Sequence, residues 1–483
     1  MALRTGKKMS TFGDLKRAVI GTITFPAISY LLNRKGINEI SRNLGKSEWY
    51  SQDFLQRLQL QKLIQLLEYA YKYVPYYQKK FKQIGLTPGD IKELQDIRSF
   101  PVLSRQDVID QHKDMVDARF ASSITVANQS KRDAGAPIPL AVLRRHRLIR
   151  NTSSGSTGAP TVFYEDGSRS ALNWVHELRL KSWYGVYPGS KEARMVRLAT
   201  EYMPKNKTIL MRKVLWHQLL LPGTNLSDSE YALCLEKILD FRPKVLWGYT
   251  SALAGLAAYT LESGIKISPY RPEVAIGWAA PVYGHEEKIL KEAFQCSVSN
   301  IYSAREVGHV AGKCPHGSFH INQENHLVEI DNGMANGLGE VLVTTLDQTP
   351  MPFIRYRMGD VGGLQDSRCS CGRSLQVLTN LLGRTGEIFM TKDGRMISPN
   401  FWCRTFMSGH VSGAVKRFQI VYKKSKDLKI RLERNKGFSN ETETYIKETV
   451  ARNFSKDTEL EIEYFQRIEP EISGKYQMVT WER

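Results

Sequence analysis

An α/β protein with a large, helix-fronted N-terminal body and a small C-terminal α+β unit is the fold class the sequence predicts. Three observations predict it. Apolar residues recur at three- and four-residue steps before residue 75; short apolar runs alternate with helical patterns after residue 140; and the pattern restarts after about residue 385. At 483 residues the chain is too long for one simple core, so several packed units are expected.

The first element is an amphipathic helix, with Leu60, Leu63, Ile64, Leu67, Ala70, Tyr71 and Val74 on one face and Pro75 as its stop. "LTPGDI" and "FPVLSRQDV" follow as turn and helix-entry chemistry, so residues 1–100 read as a helical region. Residues 101–385 then form the main body. Its strands are "KVLWGY", "VAIGWAAPVY", "VSNIYS", "LVEI" and "GEVLVTTL", with "YALCLEKIL" and "HEEKILKEAF" as helices. This order predicts a largely parallel sheet followed by a more antiparallel stretch. From "LGRTGEIF" onward, "RFQIVYKK", "LKIRLER", a polar helix around 440–453 and "ELEIEYF" make the unit of residues 386–483. The boundary is placed at Arg384 to Gly386.

Composition narrows the function. The chain has 68 Lys+Arg against 49 Asp+Glu, a formal charge of +19, which favours polyanionic partners such as nucleotides or coenzyme A. The excess is spread along the chain without a basic cluster interleaved with stacking aromatics, so no nucleic-acid partner is expected. Six cysteines in so long a chain do not make a disulfide framework, which points to a reducing, cytoplasmic setting. The apolar run "AVIGTITFPAISYLL" at residues 18–32 lies between basic pairs. It is shorter than the roughly 20 residues of a membrane span, and Pro26 interrupts it. It reads as a helix docked on the body or as a segment in a membrane interface, which leaves a peripheral place on the inner face of the cell membrane open.

The stretch "NTSSGSTGAP" at residues 151–160 is the first chemical signal. It lacks the lysine of a Walker loop, yet Gly155 and Gly158 let backbone N–H groups turn inward, and Thr152, Ser153, Ser154, Ser156 and Thr157 add hydroxyls. Such an array can wrap a triphosphate, and "RRHRLIR" at 144–150 adds positive potential. On its own the stretch is equally a Ser/Gly linker.

Order along the chain separates the two readings. "NTSSGSTGAPTV" resembles the phosphate loop of the adenylate-forming superfamily, and further elements of that superfamily follow in sequence. "NIYSAREVG" resembles the Y-G-x-T-E element, which implies that Tyr302 stacks on adenine and Glu306 holds magnesium. "GLGEVLVTTLDQTPMPFIRYRMGD" resembles the element whose aspartate, here Asp360, grips the ribose. "LGRTGEIF" resembles the hinge element with Arg384, and "EISGKYQMV" the C-terminal element with a catalytic lysine, here Lys475. Ala279, Ala280 and Pro281 of "GWAAPVY" would line the other side of adenine. The implied chemistry is sound: a carboxylate accepts from both ribose hydroxyls, Glu306 is a hard ligand for magnesium, and Lys475 delivers a point charge to the reacting phosphate.

Within that superfamily, "LLEYAYKYVPYYQKKFKQIGL", "FPVLSRQDV", "RPKVLWGYTSALAGLA" and "MPFIRYRMGDVG…CSCGR" resemble the phenylacetate-CoA ligase and capsule-biosynthesis CapK-like families. Two departures stand out: Ala159 replaces a loop lysine common among relatives, and Gly386 to Glu387 replaces the usual acidic pair at the hinge. Cys314, His320, Cys369 and Cys371 supply the donors zinc prefers in closed tetrahedral sites, and the resemblance implies structural zinc. Buried reduced cysteines, or His316 in place of His320, remain the other readings.

The resemblance therefore implies an ATP-dependent ligase that activates a carboxylic acid as its acyl-adenylate. The acyl group then passes to CoA or to a sugar or amine acceptor, in capsular or exopolysaccharide biosynthesis. A phenylacetate-CoA ligase of aromatic-acid catabolism and an inactive adenylation-fold scaffold are the alternatives. An acyl pocket is expected around Trp247 to Ser251 and Trp278, where a strand Trp is equally often core, and a homodimer is left open.

Overall fold

The computed structural model describes residues 37–120, 148–153, 161–196, 216–224, 226–331, 337–347, 349–365, 368–384, 388–397, 399–406, 411, 413–435, 437–468 and 478–482. The helical front comprises α1 (Ile37–Ser47), α2 (Gln52–Tyr73), α3 (Pro75–Ile84) and α4 (Arg105–Gln111). Helix α2 begins where the Ser51 hydroxyl accepts from the Phe54 N–H at 3.2 Å. It ends because Pro75 lacks an N–H to continue it, and the same proline starts α3 at its first turn. Leu63, Leu66, Leu67, Ala70 and Val74 are buried on one face of this front. Tyr71 departs from the expected stripe: it is 46% exposed and meets Phe81 edge-on at 5.3 Å.

Strands β1 (Ile149–Thr152) and β2 (Val162–Glu165) pair antiparallel and are followed by α5 (Gly167–Ser182). The body continues through β3 (Glu192–Val196), β4 (Gln218–Pro222), α6 (Asp228–Phe241), β5 (Val245–Tyr249), α7 (Thr250–Glu262), β6 (Val274–Trp278), α8 (Gly284–Phe294) and β7 (Ser297–Ala304). It ends in β8 (Gly308–Lys313), β9 (Phe319–Ile321), β10 (His326–Asp331), β11 (Gly339–Thr345), β12 (Tyr356–Gln365) and β13 (Val377–Arg384). One sheet of 11 strands carries all of β3 to β13, in the order β10-β11-β12-β13-β9-β8-β7-β6-β5-β3-β4. The neighbouring strands β4, β3, β5, β6 and β7 are parallel, and β5 and β6 are buried runs of the kind a helix-covered sheet requires. From β7 to β8 the pairing turns antiparallel. The expected change from parallel to antiparallel thus occurs inside one continuous sheet.

The C-terminal unit has β14 (Phe389–Met390), β15 (Met396–Ile397), α9 (Pro399–Phe406), β16 (Val415–Tyr422), β17 (Leu428–Arg434), α10 (Asn440–Asn453), β18 (Leu460–Phe465) and β19 (Val479–Trp481). Its four-stranded sheet runs β18-β17-β16-β19, and α10 joins the parallel pair β17 and β18. Phe389, Trp402, Tyr422, Ile446, Phe454 and Val479 share a core of their own. The sequence signals β16, β17, α10 and β18; the two- and three-residue strands β14, β15 and β19 are too short to show a period. No helix among the described residues is long and apolar enough to cross a membrane.

Candidate nucleotide site and metal cluster

In a parallel sheet, ligands gather at the carboxyl ends of the strands, and the residues predicted to hold adenine lie there. Gly277 pairs with Asn300 across β6 and β7. A Cβ on Gly277 would come within 2.6 Å of Val282 Cγ2 and 2.7 Å of Thr250 Oγ1, so only glycine permits this approach. Beyond it Ala279 adopts a left-handed φ of 68°, an unusual value for a side-chain-bearing residue. The turn is pinned through the Ala280 carbonyl, which accepts from Thr250 Oγ1 at 2.9 Å and Asn300 Nδ2 at 3.1 Å. Ala279, Ala280 and Pro281 are left exposed at the strand ends.

Strand β7 then delivers Tyr302, whose hydroxyl donates to Asp360 Oδ2 of β12 at 2.8 Å. Asp360 is itself in register with Arg384 at the end of β13. Glu306, two residues past β7, is buried at 6% exposure, and the Tyr356 hydroxyl lies 3.5 Å from its Oε1. Thus Tyr302, Glu306, Asp360 and the backbone of Arg384 converge, although 82 residues separate the first from the last.

The base of the hydroxyl-rich loop is closed by a reciprocal pair. Ser153 N–H donates to the Thr161 carbonyl at 2.9 Å, and Thr161 N–H donates to Ser153 Oγ at 3.0 Å. Two arginines reach this base: Arg305 Nη1 donates to the Thr152 carbonyl at 2.7 Å, and Arg105 Nε to Thr161 Oγ1 at 3.0 Å. The predicted residues Ser154, Gly155, Ser156, Thr157 and Gly158 lie outside the described residues, as do Lys475, Gly386, Glu387 and the run 18–32.

Sequence reasoning missed Arg105, Arg305 and Arg169. Arg169 is buried, its Nη1 has no hydrogen-bond partner among the described residues, and its guanidinium lies 5.5 Å from the centre of the Phe353 ring. Burial lowers its pKa, against the opposing pull of Glu165, Asp166, Asp347 and Glu306. Isolated arginines carry no periodic signal, so only the fold could place them.

Of the two readings for the tryptophan in β5, the structure favours the core. Trp247 is core: it is 3% exposed, with Lys181 Nζ and Arg194 Cζ each 4.9 Å from its ring centre. Burial alone would push the neighbouring Glu192 carboxyl up, but Arg194 and Lys181 overcome it and hold the group at about 2. Tyr249 and Trp278 stack with ring centres 4.5 Å apart.

The second site lies farther along the antiparallel half of the sheet. Cys314 follows β8, His320 is in β9, and Cys369 and Cys371 lie between β12 and β13. Their ligand atoms all fall within 4.8 Å of one another. The Cys314 and Cys369 sulfurs are 3.8 Å apart, too far for a disulfide and close to the edge of a tetrahedron with roughly 2.3 Å zinc–sulfur bonds. Cys371 Sγ and His320 Nε2 are 3.2 Å apart. His320 Nδ1 lies 3.1 Å from the Leu375 carbonyl, a contact that puts the proton on Nδ1 and frees Nε2 for a metal. Burial lowers the His320 pKa to about 4, so its ring is neutral, and pushes the Cys314 thiol up to about 11. At Cys369 hydrogen bonds from Ser318, Cys371 and Cys314 overcome burial and lower the thiol. His316 is exposed and bonded to Ser370, which leaves His320 as the histidine of the set. These donors fit zinc.

Comparison with known proteins gives the relatives. Residues 389–482 match the CapK C-terminal domain family. Protein CapK of Staphylococcus aureus is 23% identical over 257 residues, 53% of this chain and 57% of that protein, so the match spans little more than half of CapK. Phenylacetate-coenzyme A ligase of Thermus thermophilus is 24% identical over 352 residues, 70% of this chain and 72% of that one. A solved structure of 2-hydroxyisobutyryl-CoA ligase in the postadenylation state, in complex with 2-HIB-AMP, superposes with a TM-score of 0.70. That likeness covers 91% of this chain and 92% of that one at 18% identity. The fold, a large α/β body followed by a small C-terminal domain, is therefore shared with a CoA ligase.

Proposed function

We propose that this chain, a homologue of CapK and the phenylacetate-CoA ligases, is an ATP-dependent adenylate-forming ligase that activates a carboxylic acid and passes the acyl group to an acceptor. The observation that carries the proposal is the convergence of Tyr302, Asp360, Glu306 and the base of the 152–161 loop about the carboxyl end of β7. Adenine lies between Tyr302 and Ala279–Pro281. The ribose hydroxyls donate to Asp360, Arg384 flanks the nucleotide, and the phosphates run along Thr152 to Gly158.

Glu306 offers a buried carboxylate, a hard oxygen ligand of the kind magnesium takes, and bound magnesium would neutralise charge on the phosphates. The substrate carboxylate attacks the α-phosphorus, and pyrophosphate leaves in line. Positioning and charge neutralisation drive this step. Lys475 places its ammonium on the developing negative charge. The C-terminal unit, residues 386–483, then pivots about Arg384 to Gly386 so that Lys475 gives way to the acceptor. The acceptor is CoA or a sugar or amine of a surface polysaccharide, and zinc on Cys314, His320, Cys369 and Cys371 braces the sheet. The basic-flanked segment 18–32 suits work at the inner face of the cell membrane.

ATP–pyrophosphate exchange across a panel of carboxylic acids tests the proposal. Exchange with one acid class establishes adenylation, and phenylacetate as the sole active acid would move the enzyme to aromatic catabolism. No exchange and no adenylate with any acid would leave the fold as a scaffold.

A further inference from the structure

We propose that Arg305 is the cation that holds the β- and γ-phosphates of ATP, a role that rests on the adenylating function above. The stretch from Asn151 to Pro160 contains no charged side chain, since Ala159 stands where a lysine is common. Within the stretch itself, neutral hydroxyls and amides would then face a polyanion. The missing charge is supplied from another element. Arg305 directly follows β7 and precedes Glu306, and the two side chains part: Glu306 is buried beside Tyr356, whereas Arg305 is exposed. Arg305 crosses to β1, where its Nη1 donates to the Thr152 carbonyl at 2.7 Å, on the residue that enters the loop.

That anchor is a neutral acceptor, and Arg305 has no ion pair within 4 Å among the described residues, so its charge is uncompensated by any of them. A guanidinium has five N–H donors in a planar fork that matches phosphate oxygens, and the Thr152 carbonyl engages one nitrogen. Arg305 also occupies the threonine position of the Y-G-x-T-E element. The loss at Ala159 and the gain at Arg305 therefore keep one positive charge and move it from the exit of the loop to its entrance.

Arg305 could instead only pin β1, and nucleotide length separates the two roles. Calorimetric titration of the full-length protein with MgATP, AMP and magnesium pyrophosphate provides the measurement. Arg305→Ala is expected to weaken MgATP and pyrophosphate binding roughly tenfold to a hundredfold, with AMP affinity kept within about twofold. Arg305→Lys should fall between, because the charge survives without the fork. Arg305→Gln, which keeps a donor for Thr152, should lose MgATP affinity as Arg305→Ala does, and it serves if the alanine variant fails to fold. Equal weakening of ATP and AMP, or no weakening of either, overturns the inference. A wild-type protein that binds no MgATP would overturn the adenylating function itself, a result distinct from any difference among the variants.

Discussion

The two ends of the β12–β13 hairpin solve opposite problems. At one end Asp360 and Arg384 lie in register, and Tyr302 bonds Asp360 beside the exposed Ala279–Pro281 turn. At the other, Cys369 and Cys371 meet Cys314 and His320 in a largely buried set. The first end leaves Tyr302 and Asp360 half-buried and the Ala279–Pro281 turn exposed, as the proposed exchange of a nucleotide would require. The second withdraws its donors from water and fixes even a histidine proton through Leu375. Enclosure suits the closed tetrahedral site a structural zinc would occupy, whereas a ligand that exchanges needs a path in and out.

Four substitutions put that contrast to the test. The largest effect is expected from Lys475→Ala, which should cut ATP–pyrophosphate exchange by on the order of a hundredfold or more while MgATP binding is kept. Normal exchange would remove Lys475 from the reaction. Next, Cys371→Ser should strip zinc, measured by atomic absorption, and lower the thermal midpoint by roughly 5–10 °C. Retained MgATP affinity in the folded variant would show that the two hairpin ends act independently. Asp360→Asn should weaken ATP and AMP binding alike, by roughly tenfold, and leave pyrophosphate binding intact, the reverse of the Arg305 pattern. Tyr302→Phe keeps the ring and removes one hydrogen bond, worth about 1 kcal/mol, so a change in ATP affinity of about fivefold is the expected ceiling. A much larger loss would mean that the hydroxyl orients Asp360.

The sequence revealed the architecture where elements are long and periodic. The α2 stripe and the parallel strands emerge from apolar spacing, α10 reads as a polar helix between strand runs, and the order of the motifs along the chain singled out Tyr302, Glu306 and Asp360. Three kinds of residue escaped. Strands β14, β15 and β19 are too short to display alternation. Trp247 reads equally as a pocket or a core aromatic in sequence, and its burial with Val245, Val274 and Ile276 makes it core. Arg305 lies between a tyrosine and a glutamate of a recognisable motif, yet its partner is 153 residues away on β1. The cysteines are an intermediate case: the donor set and the family resemblance suggest zinc on His320, but the structure was needed to set His316 aside.

Strand β13 is clamped between β12 and β9, and Arg384 is its last residue before the chain passes to the C-terminal unit. Its closing rung is the one shared with Asp360. The proposed ribose contact and the root of the C-terminal unit are thereby a single mechanical point, one strand spacing of roughly 5 Å across. If the small unit pivots as proposed, its torque would be delivered to the rung that would bear the sugar, and a nucleotide seated there would stiffen that axle.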